Sequence, residues 1–146
     1  ASKIALSTKL EMSSNWTILD EYSAQITRHS SEDAEDRIML ATSASVDEDG
    51  EVCWDDSDEW ALAVVTEDGA YNLFLERVQL GDVFFEVSTA YVRGAPKEII
   101  TVYVFAEAGN KIYNYTYDED EDVFIEEEVF STSREADYIN KSYSAR

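Results

Sequence analysis

The chain has 146 residues, of which 45% are hydrophobic and 12% aromatic, and a formal net charge of −21. That length holds a sizeable core within one domain, 1–146, and that apolar content is too high for a disordered acidic chain. The charge repels a phosphate backbone and so excludes direct nucleic-acid binding, and no apolar run is long enough to span a bilayer as a helix.

The charge is concentrated. Residues 1–30 balance, with Glu11, Asp20 and Glu21 against Lys3, Lys9 and Arg28. Residues 31–59 hold twelve acids against Arg37 alone, and residues 107–128 carry −8. Residues 60–106 carry only −3, and the segment from Val129 to Arg146 is +1. Like charge held this close opposes compaction. Two acidic blocks between neutral ends therefore point to a surface for something positive.

In chain order, Ser13 and Ser14 are helix-capping types, and Trp16, Leu19, Tyr22 and Ile26 recur at three- and four-residue steps. This spacing predicts a long helix near Asn15–His29. From Arg37 the period changes to two: Ile38, Leu40, Thr42, Ala44 and Val46 alternate with Met39, Ala41, Ser43 and Ser45. Asp47 to Gly50 reads as a turn returning into Glu51–Trp54, and residues 55–58 as the next break. Glu59–Thr66 and Ala70–Gln79 read as a hairpin about Asp68-Gly69. Asp82–Arg93, Ile99–Ala106, Lys111–Tyr117 and Val123–Phe130 are further strands, and Ser133 can cap a terminal helix. The predicted fold is α+β: an antiparallel meander of about seven strands packed on the N-terminal helix, with a β-sandwich or small barrel as the alternative. Trp16, Leu19, Tyr22, Ile26, Leu62, Val64, Leu73, Phe85, Val102 and Val104 are the predicted core.

The chain opens without the charged and apolar regions of a secretory leader, so such a leader is either removed or never present. Cys53 is alone, which rules out an internal disulfide and favours a reducing, cytoplasmic compartment, a secreted mature chain being the alternative. Within Val52-Cys53-Trp54 it reads as a buried thiol. No motif joins it to His29, the only histidine.

Motifs for nucleophilic, phosphate-binding, dinucleotide-binding or zinc chemistry are absent, so the reading is not an enzyme, with no cofactor. Ser45, Asp47, Asp49, Gly50 and Val52 partly follow a calcium-loop spacing, with Asp56 where a bidentate Glu belongs. The pattern departs at both end ligands and lacks flanking helices, so no metal is assigned. What remains is a binding surface. Its candidate partner-binding residues are Asp47, Glu48, Asp49, Asp55, Asp56, Asp58 and Glu59 in the first block, and Asp118, Glu119, Asp120, Glu121, Asp122, Glu126 and Glu128 in the second. Alternate strand residues lie about 6.8 Å apart, so Glu126 and Glu128, on the face of Phe124 and Phe130, would present a phosphate-like row. Tyr113, Tyr115 and Tyr117 share one strand face and, if exposed, are interface-forming residues beside those carboxylates. The expected function is that of an acidic inhibitor or immunity-type protein, or nucleic-acid mimic, that neutralises a basic protein such as a toxin or nuclease. Adaptation to high salt, or a calcium- or ligand-binding β module, is the alternative.

Overall fold

The computed structural model describes residues 2–53 and 58–133. Eleven strands occur there: β1 (Ser2–Ala5), β2 (Thr17–Ala24), β3 (Asp36–Thr42), β4 (Ser45–Val46), β5 (Val52–Cys53), β6 (Asp58–Val65), β7 (Ala70–Val78), β8 (Asp82–Val92), β9 (Ala95–Ala106), β10 (Gly109–Asp118) and β11 (Val123–Ser133). No helix is present among the described residues, so the α+β expectation is overturned: the fold is all-β, and every strand pairing is antiparallel.

The strands form a five-stranded sheet in the order β1-β11-β10-β9-β8, a four-stranded sheet in the order β2-β3-β6-β7, and a small β4-β5 hairpin. The two larger sheets bury their facing sides in one core. Ile38, Leu62, Val64 and Tyr71 come from one sheet and Ile100, Val102, Tyr115 and Phe124 from the other, all with no exposed surface. Tyr71 meets Phe124 edge-on with ring centres 5.0 Å apart, and Phe74 meets Tyr113 at 6.2 Å, tying β7 across the core to β10 and β11.

The segment predicted as a helix is strand β2. A short isolated helix is marginal in water, whereas the free edge of β3 offers Thr17–Ala24 a ladder of backbone partners. The ladder slips between Ile18 and Asp20, and this bulge disguises the period of two as a helical one. The apparent stripe disperses accordingly. Leu19 and Ile26 border the main core, Trp16 lies on the opposite side of the sheet, and Tyr22 is 46% exposed. Tyr22 is therefore not core, and Trp16, Leu19 and Ile26 are half-buried rather than central. The other six predicted core residues are buried.

Strands β3 and β6 are buried on both faces. Leu10, Met12 and Trp16 lie across the outer side of the four-stranded sheet, against Met39, Ala41, Ala61 and Ala63. The small alanines leave room for that covering segment. The turn between β6 and β7 closes where Thr66 N–H donates to Gly69 O at 2.8 Å. A side chain at Gly69 would place its Cβ 2.3 Å from Ser7 O, so glycine is needed where β7 meets the chain leaving β1. Cys53 is exposed, not buried as expected, because β4-β5 stands as a separate two-stranded hairpin. Trp54, Asp55, Asp56 and the predicted terminal helix lie outside the described residues.

Candidate functional site

Three connections meet at one end of the molecule: the β2–β3 segment, the β6–β7 turn and the β10–β11 turn. His29 joins them. Its Nδ1 lies 2.9 Å from Asp68 Oδ2 and its Nε2 lies 2.8 Å from Asp122 Oδ2. An ionised carboxylate only accepts, so the protonated ring, with an N–H on each nitrogen, is the form that donates to both. The hydrogen bond to Asp122 holds the His29 pKa above its ordinary 6.5; burial opposes this, and Asp68 adds to the rise.

Asp122 is the hub. Its Oδ1 accepts the Tyr117 hydroxyl at 2.6 Å and the Tyr71 hydroxyl in a shorter contact, and Arg28 reaches Oδ2 at 3.4 Å. Burial pushes this carboxyl up, but the Tyr117, Tyr71 and His29 donors outweigh it and hold the pKa at about 2. The backbone of Asp122 is left-handed, φ 56°, a conformation that Asp and Asn tolerate better than most residues. Burial pushes the Tyr71 and Tyr117 hydroxyls up, and Asp122 pushes them further, so both stay donors.

Local bonds fix the acidic β2–β3 connection. The Gln25 side-chain amide donates to the carbonyls of Ser31 and Glu32, both at 2.9 Å. The buried Asp36 carboxylate accepts from Ile26 N at 3.1 Å and Thr27 N at 2.8 Å. In the β10–β11 turn, Asp118 Oδ1 accepts from Asp120 N at 3.0 Å and Glu121 N at 3.2 Å. Two grooves open beside these turns. One, of about 550 Å³, is lined by Gln25, Ile26, Pro96, Lys97, Glu98, Tyr117, Asp118, Glu119 and Asp120, among others. The second, of about 490 Å³, is lined by Tyr22, Gln25, Glu32, Asp33, Glu35 and Glu98, among others. Gln25 and Glu98 border both, so the grooves are adjacent.

The residues expected to bind a partner are divided by this geometry. Asp118, Glu119 and Asp120 line the first groove, Glu121 pairs with Lys3 at 2.9 Å, and Asp122 is the hub. Asp47, Glu48 and Asp49 are exposed on the β4-β5 hairpin, where Asp47 Oδ1 accepts from Asp49 N and Glu51 N, both at 2.9 Å. That hairpin follows the far end of β3. Asp58 and Glu59 begin β6 at that same end, with Glu59 paired to Arg77 at 3.4 Å. The eight residues of β6 separate this end from Asp68 by about 25 Å. The two blocks are therefore rooted at opposite ends.

Tyr113, Tyr115 and Tyr117 are buried, contrary to an exposed interface role, because their face of β10 is the one turned to the opposite sheet. Glu126 turns the same way and accepts the Tyr115 hydroxyl at 2.7 Å. Glu128 is exposed, and β10 pairs with β11 through a bulge that moves Phe130 to the outer face opposite Ile112. No outward row of Glu126 and Glu128 with Phe124 and Phe130 forms.

Glu32, Asp33, Glu35, Asp68 and Glu98 belong to the acidic end but were not expected there. Asp68 was legible only as a turn residue, and Glu98 is brought in by sheet register, which leaves no local signal. His29, the single histidine beside an acidic run, was the available clue. Among the described residues no group of three or more His, Cys, Asp or Glu is placed to hold a metal ion, and no helix is long and apolar enough to cross a membrane. In comparisons with known proteins the chain matches no family model, no curated protein and no solved structure.

Proposed function

We propose that this chain is an acidic binding protein of the inhibitor or immunity type. It neutralises a basic protein, such as a toxin or nuclease, by offering carboxylates where that protein ordinarily holds phosphates. The observation that carries the reading is the convergence of carboxylates from the β2–β3 segment, β9 and the β10–β11 turn around two adjacent grooves. His29 and Asp122 fasten the connections together. Acids held in place before contact lose less freedom on binding, and concentrated charge speeds encounter with a cationic surface. The β4-β5 hairpin, at the other end, contributes only to the long-range field.

The test starts with a low-salt pull-down from the native source, eluting with rising salt to identify the partner. Stopped-flow mixing then compares wild type with two variants: Glu32→Gln, Asp33→Asn, Glu119→Gln and Asp120→Asn at the grooves, and Glu48→Gln with Asp49→Asn at the hairpin. The groove variant is expected to associate about tenfold more slowly and to lose much of its salt dependence, while the hairpin variant stays near wild type. Raising salt from about 0.05 to 0.5 M shortens the Debye length from roughly 14 to 4 Å, so the wild-type on-rate should fall steeply. Equal on-rates and salt slopes in all three proteins would overturn the reading and move salt adaptation ahead of it.

A further inference from the structure

The two sheets differ on their outer sides. The outer side of the four-stranded sheet is covered by Leu10, Met12 and Trp16. The outer side of the five-stranded sheet has an apolar row for which no described segment provides a cover. Strand register places Phe84 opposite Tyr103, Tyr103 opposite Ile112, and Ile112 opposite Phe130, a line across four adjacent strands. Phe84 stacks on Tyr103 at 4.8 Å, and Phe105 joins them 5.4 Å from Phe84. Phe84, Phe105 and Phe130 remain 43%, 40% and 46% exposed. Isolated exposed apolar residues need no explanation, but a contiguous row rimmed by polar groups marks a contact surface.

We propose that this row docks a polypeptide segment with one apolar and one basic face. The rim sets the charge of the occupant. Glu86 and Glu127 close the two ends of the next row, paired through Thr101 and Asn114, and Asp82 stands opposite Phe105 on the other side. All three acids are exposed. A second copy is a poor occupant. Each copy carries −21, and the aromatic row exposes on the order of 300–400 Å², short of the about 800 Å² per partner typical of a stable interface. Three inter-strand steps make the row roughly 14 Å long, the length of about ten helical residues. A basic amphipathic helix laid along it buries its apolar stripe on Phe84, Tyr103, Ile112 and Phe130 and directs its cations to Glu86 and Glu127. This inference stands on the flat face and does not depend on the acidic grooves.

Fluorescence anisotropy with the full chain tests it, using three synthetic probes. One is an amphipathic Leu/Lys helix of roughly eighteen residues, the second its scrambled isomer of equal charge, and the third the peptide of residues 134–146. The amphipathic probe is expected to bind at least about tenfold tighter than the scrambled one. Phe84→Ser and Phe130→Ser, each at a half-exposed site, should separately erase most of that preference, with unchanged melting temperature confirming an intact fold. The groove variant should weaken both basic probes alike and leave their ratio unchanged. Equal binding of the amphipathic and scrambled probes, or a preference that survives both Ser variants, would overturn the proposal. Tighter binding of the 134–146 peptide would assign the row to the chain's own C-terminal segment. Self-association lost in the Ser variants by sedimentation would assign it to a second copy. Either result also overturns the proposal.

Discussion

Replacing Asp122 by Asn removes the charge at the hub and turns the acceptor that faces His29 and Arg28 into a donor. Asn tolerates the left-handed backbone and keeps an oxygen for the Tyr71 and Tyr117 hydroxyls, so it approximates a carboxyl that can never ionise. The loss can then be worked from proton affinity. The folded protein holds this carboxyl at about 2 against an ordinary 3.8. At about 1.36 kcal/mol for each tenfold change in affinity, the charged form is favoured by roughly 2 kcal/mol. Because the folded pKa is depressed, that contribution is complete above pH 3.8 and disappears as pH falls towards 2. His29 behaves oppositely. Its raised pKa means that its contribution is complete below pH 6.5 and is lost as pH rises through the folded value. Both contributions are full between about pH 4.5 and 6.

Urea unfolding followed by tryptophan fluorescence measures this at about pH 3, 5.5 and 8.5. Self-repulsion at −21 makes the absolute stability vary with pH, so the informative quantity is the difference from wild type. Asp122→Asn is expected to lower stability by roughly 2 kcal/mol at pH 5.5 and by visibly less at pH 3. The deficit of His29→Gln should be largest at pH 5.5 and smaller at pH 8.5. Deficits that do not change with pH, or an Asp122→Asn effect below about 0.5 kcal/mol, would refute the charge-based account of the clasp.

Leu62 has no exposed surface, so Leu62→Ala should cost about 2–5 kcal/mol by urea unfolding; a surface-sized change would remove it from the core. Burial pushes Tyr113 up to about 12, and Tyr71 and Tyr115 higher still. Ultraviolet titration to about pH 11 should therefore leave these three protonated until the chain unfolds, and their early ionisation would contradict the tyrosine-lined core. Exposed Cys53 should react with a disulfide reagent in the folded protein as fast as after denaturation. Protection by folding would restore the buried reading.

The strands from β6 to β11 were legible because each carries its own evidence. Trp60, Leu62 and Val64 alternate, Asp68-Gly69 marks a turn, and the dense β-branched and aromatic run of β9 has no competing period. Strand β2 was not legible. Its bulge between Ile18 and Asp20 puts apolar residues at helical spacing, and nothing local reveals that β3 has a free edge. Strand β1 was missed because four residues have no readable period. It exists by pairing with β11 more than a hundred residues away, Ser2 opposite Glu126.

The acidic surface shows the same limit from another side. Counting charge along the chain joins Glu32 and Asp33 to Asp47 and Asp49 in one block, and sets Asp118 and Asp120 apart in another. Strand β3 runs between the first two pairs and carries them to opposite ends of the sheet. The β10–β11 turn then brings Asp118 and Asp120 into a groove beside that of Glu32 and Asp33, with Gln25 and Glu98 lining both. Proximity in sequence therefore over-stated the unity of the first block and concealed the true grouping. His29 bridges residues 39 and 93 positions away, Asp68 and Asp122. A lone histidine facing two carboxylates is how this chain holds a strongly acidic end together without a metal-ligand cluster among its described residues. Repulsion among the turns is offset at the His29 ring and at Arg28, which both reach Asp122 Oδ2.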